Sequence, residues 1–327
     1  MLSIASVMES LGYIIYFAWD NLEEIHALST MLGITMQAPL LDAKVKSLYF
    51  GHNPLAMYQA TRPYDVVVYL SDGSLPLLGG KRNLVHMQVP FHGVGGRSWQ
   101  NILKKKCLHA VIVNSKFTKS VIDQEYGIDS TVIYPPVATL VPSATKEKMI
   151  LSVGRFEPSL NTKHQEVLID AFKALSPSIP EWTLTLAGAC ASDVWLKELQ
   201  NRAAGFPVHF AVNATYKELN ELYQKAAIYW HAAGYGVDEK KNPELTEHFG
   251  ITCVEAVSAG CIPFVVPRGG QGEIVGEPAL QWTTTNELVE KTKQCIGNQA
   301  VYEAYRNAIP ITQFGLERFK QDLQKVV

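Results

Sequence analysis

No apolar run in the chain approaches the ~18 residues needed to cross a bilayer. Neither charge dominates. There are 29 Lys and Arg against 31 Asp and Glu, a net charge of −2, which removes any global attraction to nucleic acid or to an anionic membrane. The five cysteines (Cys107, Cys190, Cys253, Cys261, Cys295) are odd in number and form no C-x-x-C pair. They read as reduced, buried thiols of a cytosolic protein. The nine histidines show neither H-x-x-x-H spacing nor a cluster with cysteine, which argues against a zinc site. An Asp-x-Asp pair, a common way to hold a divalent ion on a nucleotide-sugar, is also missing, so metal independence is expected. Without a recognisable secretory segment, Asn213-Ala214-Thr215 reads as a chance glycosylation match. Short-period repeats and low-complexity tracts are absent too. A length of 327 residues exceeds a typical single core and suits two domains of roughly 150 residues each. With 47% apolar and 18% charged residues, the composition is that of an ordinary soluble globular protein.

The recurring unit is a short apolar run, a turn and an amphipathic helix. Strands are expected at Tyr13–Trp19, Asp65–Leu70, Leu84–Val89, Ala110–Asn114, Met149–Val153, Thr183–Ala187, Val208–Ala211, Ile228–His231 and Ile262–Val266. Most are rich in Val, Ile and Leu without strict alternation, as strands covered on both faces are. Between them lie helical segments such as Lys116–Glu125, His164–Leu175, Asp193–Ala203, Tyr216–Lys225 and Asn286–Cys295. Alternation of this kind implies doubly wound α/β domains with parallel sheets. Tyr134-Pro135-Pro136-Val137 closes one series, because consecutive prolines continue neither a helix nor a central strand. A linker over 135–148 therefore separates a first domain, 1–140, from a second, 141–327. The amino terminus begins with a helix over Ser3–Leu11 ended by Gly12. A doubly wound domain ordinarily opens on a strand whose loop carries glycines to a ligand. That first strand is expected to be missing: either the domain lacks it or the chain starts late.

The densest chemistry lies in Glu247-His-Phe-Gly-Ile-Thr-Cys-Val-Glu255, followed by Gly269-Gly270. On a helix a spacing of eight is a little over two turns, so both acids can face one cleft. Phe249-Gly250-Ile251 would open that helix and leave free N–H groups at its positive end, where a diphosphate prefers to sit. Leu151-Ser-Val-Gly154-Arg155-Phe156 opens the second domain. Gly154 lets the backbone turn tightly, and Arg155 leaves the strand's carboxyl end. With Lys163 before the next helix, two cations stand where pyrophosphates bind in such folds. The bland alternatives are surface carboxylates on one helix face, a solvated Arg and a helix-flanking Lys.

In this order the pieces resemble the retaining glycosyltransferases of family 4, whose GT-B fold has two Rossmann-like domains facing a central cleft. The resemblance runs from Val111-Ile-Val-Asn-Ser115-Lys-Phe-Thr118 through Val132-Ile-Tyr-Pro-Pro136-Val and Ser152-Val-Gly-Arg155. It continues through Glu247 to Glu255 and Pro267-Arg-Gly-Gly270-Gln-Gly-Glu273, and ends in a helix over Phe314–Val327 that can pack back on the first domain. It implies that Arg155 and Lys163, with Gly154 beside them, bind the donor diphosphate and stabilise the leaving group. Glu255 would hold the ribose hydroxyls and Glu247 would sit beside the transferred sugar. The backbone of Phe249, Gly250 and Ile251 would meet phosphate and sugar. It also implies front-face attack by the acceptor, with the departing phosphate helping to remove its proton. The donor would be a nucleotide-sugar such as a GDP- or UDP-sugar, with no further cofactor.

The first domain would serve the acceptor, a glycan, a lipid-linked molecule or a small molecule. Many relatives read His-x-Pro where this chain has Gln88-Val-Pro90, so the acceptor-side histidine is either His86, within a strand, or His92, past its end. Position favours His92 as the catalytic one. Asp72, in Ser71-Asp72-Gly73, is a further acceptor-side residue or an ordinary turn aspartate. Gly93-Val-Gly95-Gly96-Arg97-Ser98 imitates a dinucleotide loop but has Ser98 at the third glycine position. It reads instead as a flexible loop over the cleft. Beyond it, Trp99, Ile102, Leu103 and Lys104-Lys105-Lys106 are expected to form a solvated helix with its apolar stripe packed inward. The alternative is a helix lying on a membrane surface. The expectation is thus a cytoplasmic glycosyltransferase with no nucleic-acid partner, with peripheral attachment at the inner membrane face left open. Its rivals are a sugar-nucleotide epimerase or a phosphorylase of the same fold, and a non-catalytic nucleotide-binding subunit with an incomplete first domain.

Overall fold

The computed structural model describes residues 1–50, 53–143, 145–158, 163–190, 193–306 and 308–327, apart from the side chains of Met31, Tyr49 and Phe50. Ala144, in the expected linker, lies outside the described residues. The chain divides into two compact units, Met1–Pro136 with Leu316–Val327, and Val137–Gly315.

The first unit opens on the helix Leu2–Ser10, followed by β1 (Tyr16–Phe17) and β2 (Leu40–Leu41), which pair in parallel as a sheet of their own. A strand two residues long leaves no periodic signal, which is why β2 was not anticipated and why Tyr13–Trp19 shrank to its centre. β3 (Val66–Leu70), β4 (Arg82–Met87), β5 (Ala110–Val113) and β6 (Thr131–Val132) then form a parallel sheet in sequential order. Alternate residues of a strand point to opposite faces. Accordingly Leu84 of β4 and Ile112 of β5 pack with Ile4, Val7 and Met8 of the opening helix. Val85, Met87, Val111 and Val113 pack on the other side with Ile122 and Tyr126. The closing helix Leu316–Gln324 supplies Phe319 and Leu323 to the former cluster.

Two expectations for this unit are corrected. The loop Gly93–Arg97 is fastened rather than free. The Glu125 carboxylate accepts from the N–H groups of Gly93, Val94 and Gly96, each at 3.1 Å, and the Arg97 guanidinium donates to the Gln124 carbonyl. The helix Trp99–Lys105 does not turn its apolar stripe inward: it buries no residue, and Trp99, Ile102 and Leu103 are exposed.

In the second unit, β7 (Glu147–Val153), β8 (Thr183–Gly188), β9 (Val208–Val212), β10 (Ala226–His231) and β11 (Ile262–Val265) form a parallel sheet in the order β11-β10-β7-β8-β9. Glu147 and Lys148 of the expected linker thus begin β7. Strand order reverses between β7 and β10, and in open α/β sheets ligands bind outside the carboxyl ends of the strands at such a switch point. Among the described residues the first unit's four-stranded sheet runs in one direction and has no such reversal. All five cysteines are free thiols. Cys253, Cys261 and Cys295 are buried, whereas Cys107 and Cys190 are only half-buried, short of the burial expected for all five.

Candidate active site

At the carboxyl end of β7 the chain passes through Gly154 and Arg155. The bond Gly154 N–H to Ala187 O (2.8 Å) keeps the extended backbone against β8 and its following residues. Gly154 does not adopt the left-handed conformation, so a tight turn is not what requires glycine here. A Cβ at this position would lie 2.5 Å from Lys163 Cγ and 2.9 Å from Lys163 Cβ. The missing side chain is the space that the Lys163 stem occupies. Lys163 in turn precedes the helix Gln165–Leu175, whose N-cap residue His164 sits at φ 48°. A non-glycine residue held in that conformation beside a functional group carries strain that its surroundings must impose. Gln165 secures the other end, its Nε2 donating to the carbonyl of Arg155 at 2.9 Å.

Lys163 Nζ donates to Glu247 Oε2 at 2.6 Å, with both side chains 16% exposed. His231, the last residue of β10, places Nε2 3.2 Å from the same oxygen. Its Nδ1 accepts the Ala233 N–H at 3.3 Å, so the ring proton belongs on Nε2, facing the carboxylate. Burial pushes the His231 ring below its ordinary value, and the ring is neutral. Burial alone would raise the Glu247 carboxyl, but the Lys163 ammonium and the His231 ring outweigh it and hold the carboxyl well below the usual carboxylate range. The result is a fixed anion with a shared cation at the switch point of the sheet.

Glu247 and Glu255 do not share a helix. The helix runs Ile251–Ser258, with Gly250 as N-cap at φ 116°, and Glu247 lies on the loop before it. Gly269 and Gly270 set that loop. The Gly270 N–H donates to the Glu247 carbonyl at 2.7 Å, and a Cβ on Gly269 would stand 2.2 Å from that oxygen. Glu255, on the helix, accepts from the Tyr223 hydroxyl at 2.9 Å. Burial raises its pKa while the Tyr223 bond pulls it back. The Phe249 ring is buried edge-on against Phe314, centroids 5.5 Å apart, so only its backbone is available to a ligand. Ile251 is exposed in the first helical turn. Arg155 is exposed, and its guanidinium makes no ion pair among the described residues. Beyond β10 and β11 lies a hollow of ≈ 330 Å³ bordered by Tyr235, Asp238, Arg268 and Thr283. The Tyr235 ring meets His164 edge-on at 6.2 Å.

The acceptor-side residues belong to the first unit. His86 is buried in β4, and burial lowers its pKa to about 3. His92 is exposed at the head of the loop that Glu125 fastens. Gln88 is exposed, and its carbonyl accepts from Asn114 Nδ2 at 2.9 Å. The Asp72 carboxylate accepts from both the N–H and the hydroxyl of Ser74, the geometry of a turn aspartate. Sequence reasoning missed His231, His164, Gln165 and Tyr223. His231 carried the one usable signal, a polar residue ending an otherwise apolar strand where ligands approach such a sheet.

The model of the family described as glycosyl transferases group 1 matches residues 141–309. That span is more than half of the chain and contains every residue of the Lys163–Glu247 cluster. The GDP-Man:Man(3)GlcNAc(2)-PP-Dol alpha-1,2-mannosyltransferase of Xenopus laevis is 30% identical over 184 residues, 50% of this chain and 35% of the relative. The chain thus spans about a third of the length of that curated relative. Among solved structures, the UDP-forming alpha,alpha-trehalose-phosphate synthase of Burkholderia vietnamiensis superposes with TM-score 0.61 at 13% identity, covering 87% of this chain and 80% of that one. The pneumococcal O-GlcNAc transferase GtfA gives TM-score 0.59 at 15% identity, over 87% of this chain and 59% of that one. At such identities these two speak for the fold, which is the α/β fold GT-B. The chain belongs to the glycosyl transferases group 1 family.

Proposed function

We propose that this chain is a retaining, metal-independent glycosyltransferase that moves a sugar from a nucleoside diphosphate donor to a lipid-linked glycan. The observation that carries the reading is the Lys163–Glu247 pair at the switch point of β7 and β10, 2.6 Å between charges, beside the open N-terminus of the helix Ile251–Ser258. The name of the Xenopus laevis relative, with its GDP-mannose donor and PP-Dol acceptor, supports the choice of substrates. In this reading the acceptor hydroxyl attacks the anomeric carbon as the bond to the diphosphate oxygen breaks, and the acceptor proton passes to that departing oxygen. Negative charge grows on the diphosphate, and preorganised donors there lower the barrier most. Arg155, Lys163 and the N–H groups of Gly250 and Ile251 supply those donors. An ammonium has three N–H bonds, so Lys163 can keep Glu247 while gripping a phosphate. Glu247, kept in its charged form by Lys163, orients the sugar hydroxyls, and Glu255 holds the ribose. His92 is assigned to the acceptor side.

The test is thermal stabilisation by GDP-mannose and by UDP- and ADP-sugars. A ligand at 100 times its Kd stabilises the native state by about 2.7 kcal/mol. Lys163→Ala and Glu255→Ala are expected to abolish the stabilisation while keeping a cooperative melt. Normal nucleotide binding by either variant would refute the donor site. Anomeric configuration of the product by NMR tests retention, and turnover in excess EDTA tests metal independence.

A further inference from the structure

The helix Trp99–Lys105 is built the wrong way out for a solvated helix. Trp99, Ile102 and Leu103 stand at i, i+3 and i+4, so they share one face, and they are 68%, 49% and 53% exposed. Val94, in the loop just before, is 44% exposed. Two of its polar residues, Asn101 and Lys105, turn inward instead. Asn101 Nδ2 donates to the Gly95 carbonyl at 3.3 Å, and Lys105 Nζ donates to the Tyr126 carbonyl at 2.5 Å. Ser98 caps the helix, and Glu125 and Arg97 fasten the loop beneath it. Solvent gives no reason to anchor a helix by its polar residues and present its apolar ones.

We propose that this helix docks the protein on an anionic lipid surface. The charges around it select that occupant. From Trp99 to Leu108 the sequence holds three lysines and no acid, in a chain whose net charge is −2. Lys105 is engaged in the fold, while Lys104 is half-buried and Lys106 exposed, beside the apolar face and at the negative end of the helix. An indole, two aliphatic side chains and flanking ammonium groups are what a helix lying in the headgroup region carries. Among the described residues no helix is long and apolar enough to cross a membrane, so the contact is along the surface. The inference does not depend on the donor site.

The experiment is co-sedimentation of the whole chain with vesicles of phosphatidylcholine, with and without phosphatidylglycerol. Binding is expected on the anionic vesicles and is expected to fall as salt is raised. Lys104→Gln and Lys106→Gln should each weaken it by roughly fivefold. The triple variant Trp99→Ser, Ile102→Ser, Leu103→Ser should lose it, with the thermal melt unchanged because those side chains are exposed. Three results would overturn the proposal: no vesicle binding by the native chain, equal binding by the triple variant, or concentration-dependent self-association that the triple variant abolishes, which would make a second copy the occupant. The lysine variants, which cannot disturb a core, keep the test decisive if the triple variant proves unstable.

Discussion

Lys163, Glu247 and His231 show how a buried charge is kept tolerable: one ammonium donates to a carboxylate oxygen, and an imidazole nitrogen stands 3.2 Å from the same oxygen. The two charged members were readable from the sequence because a basic residue before a helix and an acid beside glycines are conspicuous by type. His231 was not, because at the end of an apolar strand it resembles any boundary residue. The histidines also set an acid sensitivity. Burial lowers His231, His248 and His86, the last to about 3. Each binds fewer protons folded than unfolded, so its contribution is full above about pH 6.5 and is lost as pH falls toward the folded value. Glu247, also depressed, adds its loss only at still lower pH. Unfolding free energy from urea titrations is therefore expected to decline between pH 6.5 and 4.5. Replacing His86 by Phe should flatten that decline by about 2 kcal/mol. An unchanged slope would mean that His86 is solvated or paired in the folded protein.

At the scale of elements, the helix Ile251–Ser258 and the Gly269–Gly270 turn act as one device. The sequence suggested two acids on one helix because eight residues separate them, but Gly250 starts the helix after Glu247. The Glu247 loop is held by backbone contacts from a distant turn, and helical spacing says nothing about such contacts. Gly269 has φ 63° and no room for a Cβ, whereas Gly236 has φ 72° with nothing within 4 Å. Gly236→Ala should therefore cost only the backbone strain, about 1 kcal/mol. Gly269→Ala must also move the Glu247 carbonyl. It is expected to cost more than twice as much by denaturant titration and to weaken nucleotide-dependent stabilisation. Equal effects of the two substitutions would show that the turn does not brace Glu247.

For the molecule as a whole, the first unit is assembled from both ends of the chain. Ile4, Val7 and Met8 meet Phe319 and Leu323 over Leu84 and Ile112. Phe319 is 6% exposed although it stands eight residues from the last one in the sequence. Phe319→Ala should destabilise by about 3–5 kcal/mol. The effect should appear in the melt of the first unit, with nucleotide stabilisation of the second retained. A neutral substitution would mean that the closing helix is frayed from this core.

The main strands of both sheets and the parallel α/β class could be read from residue types and short-range periodicity, and the charged residues of the candidate site stood out by type. Strong local patterns carry that information: apolar runs for strands, caps for helices, glycines beside charged residues. Contacts between residues far apart in sequence leave no local trace. The tertiary structure alone therefore paired Glu247 with Lys163 and His231, tied Glu255 to Tyr223, and started the Ile251–Ser258 helix after the first acid rather than before it. It also turned Trp99, Ile102 and Leu103 outward, because Asn101 and Lys105 of that short helix found partners in the loop and helix beneath it and left the apolar residues nothing to cover.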